Sequence, residues 1–477
     1  MNDAKTFILH QDANMKVYIL LLIFGCLCLK HGATNGLASP HDTPPRFEQR
    51  GDLSTLKDWA KESGVSFADG VGFSQSKNNM EDDWSIGLKN PLLLSMKKGT
   101  IVLSVPKDFV LSSSKIFIEM GGDTALGNAM EILKEGNYSN HKGEFLLFLK
   151  ILKEREKREA SKWSTWINCL PKKFSTGVCF DTVELDCLPS FSRALADYEI
   201  MKFQAFGDCA TLLKETWQEK SSYTQDECQL LYKWAYNVVN TRCWKFSEEL
   251  DAGTSEIVPI GDLFNHKKPA NVAVDNLPSS HTIDFVLQEG LSGTTELSLS
   301  YGLTNPHRFL TIFGFVDESM PEIFCQVVFP GATSEHKALG CDDRSKMVYN
   351  TVDGAISDTI WDSVLYLLLA SKPDEQRSLY RAHLAEDLTT KKALRYKYAL
   401  ETSLTLKNHV DGTLAELRSH NADINAAKED GSDHLHLELI EKQNFFLQDV
   451  FGKVNAILDT MVQEETRRRR QAAANVN

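Results

Sequence analysis

The sequence has no apolar run as long as the roughly 20 residues that a spanning helix needs. It has no cysteine pair at the C-x-x-C spacing of structural zinc hooks, and no G-x-S-x-G segment or paired catalytic constellation of a hydrolase. Nor does it carry an excess of positive charge: 52 Lys and Arg face 65 Asp and Glu, for a formal net charge of -13. Each absence removes a class of function. Phosphate backbones and anionic membranes attract positive surfaces, so this acid excess argues against a general binder of nucleic acid or membrane surface. Without zinc hooks, the 10 cysteines read as free, mostly buried thiols, and no metal centre is expected. Without a nucleophile segment, secreted hydrolysis has no chemistry to rest on.

What is present describes a folded, multidomain chain. Its 477 residues, 42% hydrophobic and 25% charged, exceed one ordinary core and are unlike a disordered composition. Near the N-terminus, Lys16 precedes the apolar run Val17–Leu29, and polar and small residues follow. This matches the h-region of a signal peptide, with Ala33 and Ala38 as possible cleavage sites and Met15 as an alternative start. The expectation is entry into a secretory route, or delivery to a plastid as the first half of its address. An uncleaved single-pass anchor formed by residues 17–29 is the alternative. Ser39–Gly51, rich in proline and charge without periodicity, reads as a linker, so residues 1–50 stand apart from the fold.

From there, Leu53, Leu56, Trp59 and Ala60 recur at helical spacing up to Gly64 and predict a short amphipathic helix. Apolar runs punctuated by Lys98-Gly99 and Val105-Pro106 predict small strands. Between about 112 and 231 the pattern is helical, as in Glu144–Ala160. Strand signals return after Gly253, in residues 256–261, 282–288 and 296–302. From Pro321 onward the pattern is helical again, with Leu447, Val450, Phe451, Val454, Leu458 and Met461 spaced as one buried helix face. The run Arg467–Arg470 reads as a solvated helix end favoured by the dipole. The patterns give an α+β chain: a fold of small β-sheets over 51–318, a helical insertion at about 112–231 within it, and an all-α domain over 319–477.

The chemistry concentrates in residues 258–271, VPIGDLFNHKKPAN, where a strand-like piece runs into Asp262, Asn265 and His266 before Pro269. Upstream lies YKWAYNVVNTRCW (232–244); downstream lie LSLSYG (297–302) and FGFV (313–316). This succession resembles the SET-domain protein methyltransferases of the subfamily typified by the plant Rubisco large-subunit lysine methyltransferase. There a WA…V.[ST]R helix, a VP..D..NH segment, an SYG strand end and a YGF segment follow in the same order. LKDWAKESG (56–64), KKGTIVLSVP (97–106) and SKWSTWINCLPKKF (161–174) resemble their counterparts too, so the likeness runs from Leu53 to the C-terminal helices. It implies a SET fold with a knot-like crossing and a helical substrate-binding domain. It also implies S-adenosylmethionine as cofactor and N-methylation of a lysine on a non-histone protein, leaving the oligomeric state open.

By that resemblance Gly87, Leu88, Asn265 and His266 hold the cofactor, the last two chiefly through backbone and the Asn amide, which both donates and accepts. Arg242, Trp244, Asp262 and Phe313 fall on the substrate side, the charged pair as braces and the aromatics as walls. Phe315 reads as core. Tyr301 carries the chemistry. Free lysine has a pKa near 10.4, so the site must desolvate the amine and aim its lone pair, which a phenol at the mouth of an apolar channel can do. His266 as a metal ligand has no second His or Cys at ligand spacing. Two positions depart from the family pattern. Ser85-Ile86-Gly87-Leu88 keeps only the second glycine of the G-x-G-[LV] turn, while Gly70-Val71-Gly72-Phe73 sits too far upstream. Phe313 stands where tyrosine is frequent, which leaves room for multiple methylation. Trp244 is aromatic as in lysine-directed relatives, whereas histidine-directed ones carry a small amide residue. The altered turn supports a second reading, a catalytically weak SET-like binding module.

Overall fold

The computed structural model of the chain describes residues 52–75, 84–88, 95–216, 223–245, 254–292, 296–302, 305–329, 331–429 and 433–474. The apolar N-terminal segment and the linker lie outside the described residues. The first helix, Leu53–Glu62, starts at Asp52, whose carboxylate accepts from the Ser54 and Thr55 backbone N–H groups and so satisfies donors the helix cannot pair itself. It stops where Gly64 turns to φ +85°, and it buries Leu56 and Ala60.

The central sheet is antiparallel, in the order Ser66–Phe67, Ile101–Pro106, Thr282–Leu287, Val272–Asp275. Ile283, Phe285 and Leu287 alternate inward, the period of a half-buried strand. Short pairs surround it. Val71–Gln75 lies along Trp84–Leu88 with Gly72 opposite Gly87, so the two glycine-bearing segments weighed in the sequence are partners in one hairpin. Leu111–Ser112 pairs with Glu256–Ile257, and Asn265–His266 pairs in parallel with Ser298–Leu299.

The helices between Ser113 and Arg242 share one hydrophobic core with these sheets. The last of them, Gln225–Arg242, opens on a reciprocal capping box of Thr224 and Glu227 and runs unbroken past residue 231. The helical segment therefore has no break there; it ends by delivering Arg242 to the strands.

The C-terminal region is largely helical but opens on one two-stranded pair, Glu322–Phe324 with Val348–Asn350, strands too short to show alternation in sequence. The helices Ala399–Glu429 and Leu437–Ala474 pack along each other. Leu447, Val450, Phe451, Val454 and Leu458 are buried with Leu406, Val410, Leu414 and Leu417, while Met461 is half-buried. The turn end of this pair meets the rest of the molecule: Ile424, Ala427, Leu437 and Ile440 cluster with Phe180, Leu185, Leu188 and Leu310. His436 Nδ1 lies 2.9 Å from a Glu184 carboxylate oxygen beside that cluster. The Arg467–Arg470 run differs from the expected solvated end. Arg469 pairs with Glu401 at 2.6 Å, and Arg468 lies 3.7 Å over the Tyr396 ring, because the long helix runs on to Ala474 and brings this stretch back against the start of its neighbour.

Candidate active site

The site grows out of a tight turn. Ile260, buried, sits at φ +75°, a conformation that costs a β-branched residue energy and persists only where its surroundings enforce it. Next to it, a Cβ on Gly261 would lie 2.3 Å from the Phe285 ring, so only glycine fits. The turn aims Asp262 inward, where its carboxylate accepts from Arg242 Nη1 at 3.0 Å and from the Trp166 indole at 3.2 Å; Arg242 also donates to the Asp262 carbonyl at 3.0 Å. Burial pushes the Asp262 carboxyl above its ordinary pKa, against the pull of Arg242. The Asp262 side chain is 0% exposed and that of Arg242 9%. A pair enclosed this way is the brace expected of these two residues, a strut joining the insertion's last helix to the site.

Beyond the strut, the chain enters the Asn265–His266 strand. Its parallel partner, Ser298–Leu299, leads directly to Tyr301. His266 turns its ring inward, 2% exposed, and fixes that meeting. Nδ1 accepts the Tyr301 backbone N–H at 3.0 Å, so Nε2 carries the proton and donates to Asp317 at 3.1 Å. Burial opposes the Asp317 charge, but hydrogen bonds from His266 and Ser319 hold its pKa below the usual carboxylate range. The His266 side chain is thus spent on the protein itself, which leaves its backbone for any ligand. Among the described residues no group of three His, Cys, Asp or Glu is arranged to hold a metal ion.

The Tyr301 hydroxyl donates to the Phe264 carbonyl at 2.9 Å. Its proton is committed, and the phenol oxygen keeps acceptor capacity. The ring lies 5.2 Å from Phe313 and 6.5 Å from Phe315. Both come from the turn around Phe309–Phe313, which winds as a π-helix, a local irregularity frequent at functional sites. Phe315 is half-buried and faces Tyr301 and Phe309, so it belongs to this aromatic enclosure rather than to the core alone. Trp244 is tied to Glu256 by two backbone hydrogen bonds. Its ring meets Phe285 edge-on at 5.7 Å, and Phe285 stacks on Phe264 at 4.8 Å.

Gly87 reaches the same place from the other side, while Leu88 beside it pairs with Val71 and is buried in the core. Gly87 bridges to Glu296, and the Leu297 N–H donates to the Ile86 carbonyl at 2.9 Å. The Asn265 amide donates to the Glu296 carboxylate at 3.0 Å. Sequence reading missed Glu296, as it missed Asp317, Trp166 and Asn271. Asn271 clamps the two segments, donating to the Glu296 carbonyl at 3.1 Å and accepting from the Ser298 N–H at 2.8 Å. Trp166, Asn271 and Glu296 stood inside segments already singled out; Asp317 gave no local signal, since a lone carboxylate is common anywhere.

No family model matches the chain. An actin-histidine N-methyltransferase of Drosophila melanogaster is 23% identical over 309 residues, 58% of this chain and 51% of that protein. SET domain-containing protein 4 of Artemia parthenogenetica is 24% identical over 239 residues, covering 48% and 55%. The protein of that name from Mus musculus is 25% identical over 179 residues, covering 36% and 41%. The chain spans about half the length of the curated relatives it matches. Among solved structures, the SET domain of LSMT bound to lysine and AdoHcy superposes with a TM-score of 0.58 at 15% identity, over 87% of this chain and 92% of that one. Rubisco LSMT bound to AdoMet gives 0.55 at 15% identity, over 87% and 93%. The likeness extends over nearly the whole described chain and establishes the fold as that of a SET-domain protein of the LSMT type.

Proposed function

From a chain with the SET-domain fold, we propose an S-adenosylmethionine-dependent protein-lysine N-methyltransferase acting on a non-histone protein. The observation that carries this reading is the parallel pairing of Asn265–His266 with Ser298–Leu299, which sets Tyr301 beside the Phe264 carbonyl inside an aromatic enclosure. The donors fit the cofactor. Asn265 offers an amide, His266 a backbone whose side chain is otherwise engaged, and Gly87 a residue without a side chain; Asn265 and Gly87 meet at Glu296. When bound, S-adenosylmethionine supplies a methyl group on a sulfonium centre. The chain's own part is to prepare the acceptor. Phe313 and Phe315 exclude water and so disfavour the ammonium form of lysine. The Tyr301 oxygen accepts an N–H of the neutral amine and turns its lone pair in line with the methyl. The bound cofactor would give up its methyl with the C–S bonding pair left on sulfur, so the chain's own task would be to hold the amine at the Tyr301 oxygen while the C–N bond forms and to let the nitrogen's extra proton leave to solvent.

In this reading residues 51–318 form the catalytic unit and residues 319–477 select the protein. Residues 17–29 act as a signal-type presequence into a secretory route or a plastid, which a fluorescent fusion of residues 1–50 would locate. No role for nucleic acid follows from a charge of -13. Calorimetric titration of S-adenosylmethionine into the full chain tests the enzyme directly, with Asn265→Ala as control. Binding near micromolar that the control abolishes is expected. Silence at millimolar cofactor turns the reading toward a SET-like binding module, which Ser85 in place of the first glycine favours. Mass spectrometry of methylated products then separates a lysine acceptor from a histidine one. Tyr301→Phe is expected to lower turnover by about 100-fold or more while leaving cofactor affinity near wild type.

A further inference from the structure

Three segments remote in sequence meet at one residue, Glu296, whose carboxylate one of them engages. Glu296 is bridged through its backbone to Gly87, accepts the Asn265 amide N–H at 3.0 Å, and has its own carbonyl and the neighbouring Ser298 N–H pinned by Asn271. Its side chain is half-buried, so the charge is neither fully hydrated nor locked in the core. By receiving Nδ2–H, the carboxylate also decides which way the Asn265 amide points: nitrogen toward Glu296, the acceptor oxygen away from it. A carboxylate and, beside it, an amide oxygen of fixed direction offer acceptors on neighbouring side chains, together with one negative charge. That set suits a small cation with several N–H groups, and it suits an anion badly.

We propose that Glu296 is the counter-charge for the α-ammonium group of the cofactor's amino-acid moiety, and that it supplies part of the cofactor affinity in a chain whose turn has Ser85 where a first glycine is usual. This rests on the reading of the site as an S-adenosylmethionine site. It goes beyond that reading by naming the group recognised and the residue that recognises it. The alternative, a role toward the sulfonium, separates cleanly, because S-adenosylhomocysteine keeps the ammonium and lacks the sulfonium charge. 5′-Methylthioadenosine lacks both.

The experiment is calorimetric titration of those three compounds into the full wild-type chain and into Glu296→Gln, which preserves size and an acceptor oxygen for Asn265. The expected result is a loss of about tenfold in affinity for S-adenosylmethionine and S-adenosylhomocysteine alike, the range of one charge-assisted hydrogen bond. 5′-Methylthioadenosine should bind both proteins equally, which also certifies that the variant's site is folded. Loss confined to S-adenosylmethionine would move Glu296 to the sulfonium and overturn the proposal. Equal loss for all three compounds would make it a purely structural residue, and unchanged affinity for all would remove it from recognition. If wild-type protein binds none of them, the cofactor site itself fails, and this assignment with it.

Discussion

The crossing around residues 256–302 and the C-terminal helix pair are held together in opposite ways. In the crossing, the paired strands Asn265–His266 and Ser298–Leu299 are two residues each and carry little hydrogen bonding of their own. Position there is enforced by side chains from elsewhere: Arg242 and Trp166 on Asp262, Asp317 on His266, Asn271 and Asn265 on the Glu296 segment. In the helix pair, each helix satisfies its own backbone and the contact is a stripe of apolar side chains repeated over many turns. The first is a structure of few, specific and non-local contacts. The second is one of many, interchangeable and periodic contacts, and the two should respond differently to the same kind of change.

Removing the strut should produce the largest effect. Asp262→Ala leaves the Arg242 guanidinium buried without its partner, at a cost of about 3–5 kcal/mol, read as a drop in the denaturation midpoint. A loss under 1 kcal/mol would mean that the pair is solvated and the strut idle. Glycine-to-alanine substitutions sharpen the contrast in sign. Gly261→Ala drives a methyl into the Phe285 ring and should cost about 1–3 kcal/mol. Gly412→Ala, on the exposed face within the Ala399–Glu429 helix with nothing within 4 Å of the added atom, should stabilise by about 0.5–1 kcal/mol. Equal effects at the two positions would erase the distinction.

Acid provides a milder probe of the helical insertion that joins the two regions. Burial opposes the charge of Glu144, but its hydrogen bond with His141 and the nearby Lys202 and Lys245 outweigh that and hold its pKa at about 2, against an ordinary 4.5. Because the folded value is depressed, the unfolded chain binds the extra proton first. The stability Glu144 contributes is complete above about pH 4.5 and is lost as pH falls toward 2. Glu144→Gln should flatten that part of the acid limb of a stability-versus-pH curve; an unchanged slope would assign it to other carboxylates. The smallest effect belongs to the far end of the helix pair. Arg469→Ala breaks a half-exposed ion pair with Glu401 and should cost about 0.5 kcal/mol or less, a difference that 1 M salt should erase.

The same contrast separates what the sequence alone determined from what it did not. The helices from Leu53 and Leu437, the inward face of Thr282–Leu287 and the four-segment order that pointed to the SET fold were all legible, because a helix face and a strand face are written in period along a single stretch of chain. Tyr301, Asn265 and Phe313 were legible as members of a motif. That Trp166 joins Arg242 in holding Asp262 was not, nor that Phe315 joins the Tyr301 enclosure. The meeting of Gly87 and Glu296 across more than half of residues 51–318, and the ring of His266 spent on Tyr301 and Asp317, were equally hidden. Those facts are set by which side chains meet after folding. Sequence fixes residue identity and local period, while burial and the direction of a hydrogen bond exist only once distant segments share a neighbourhood.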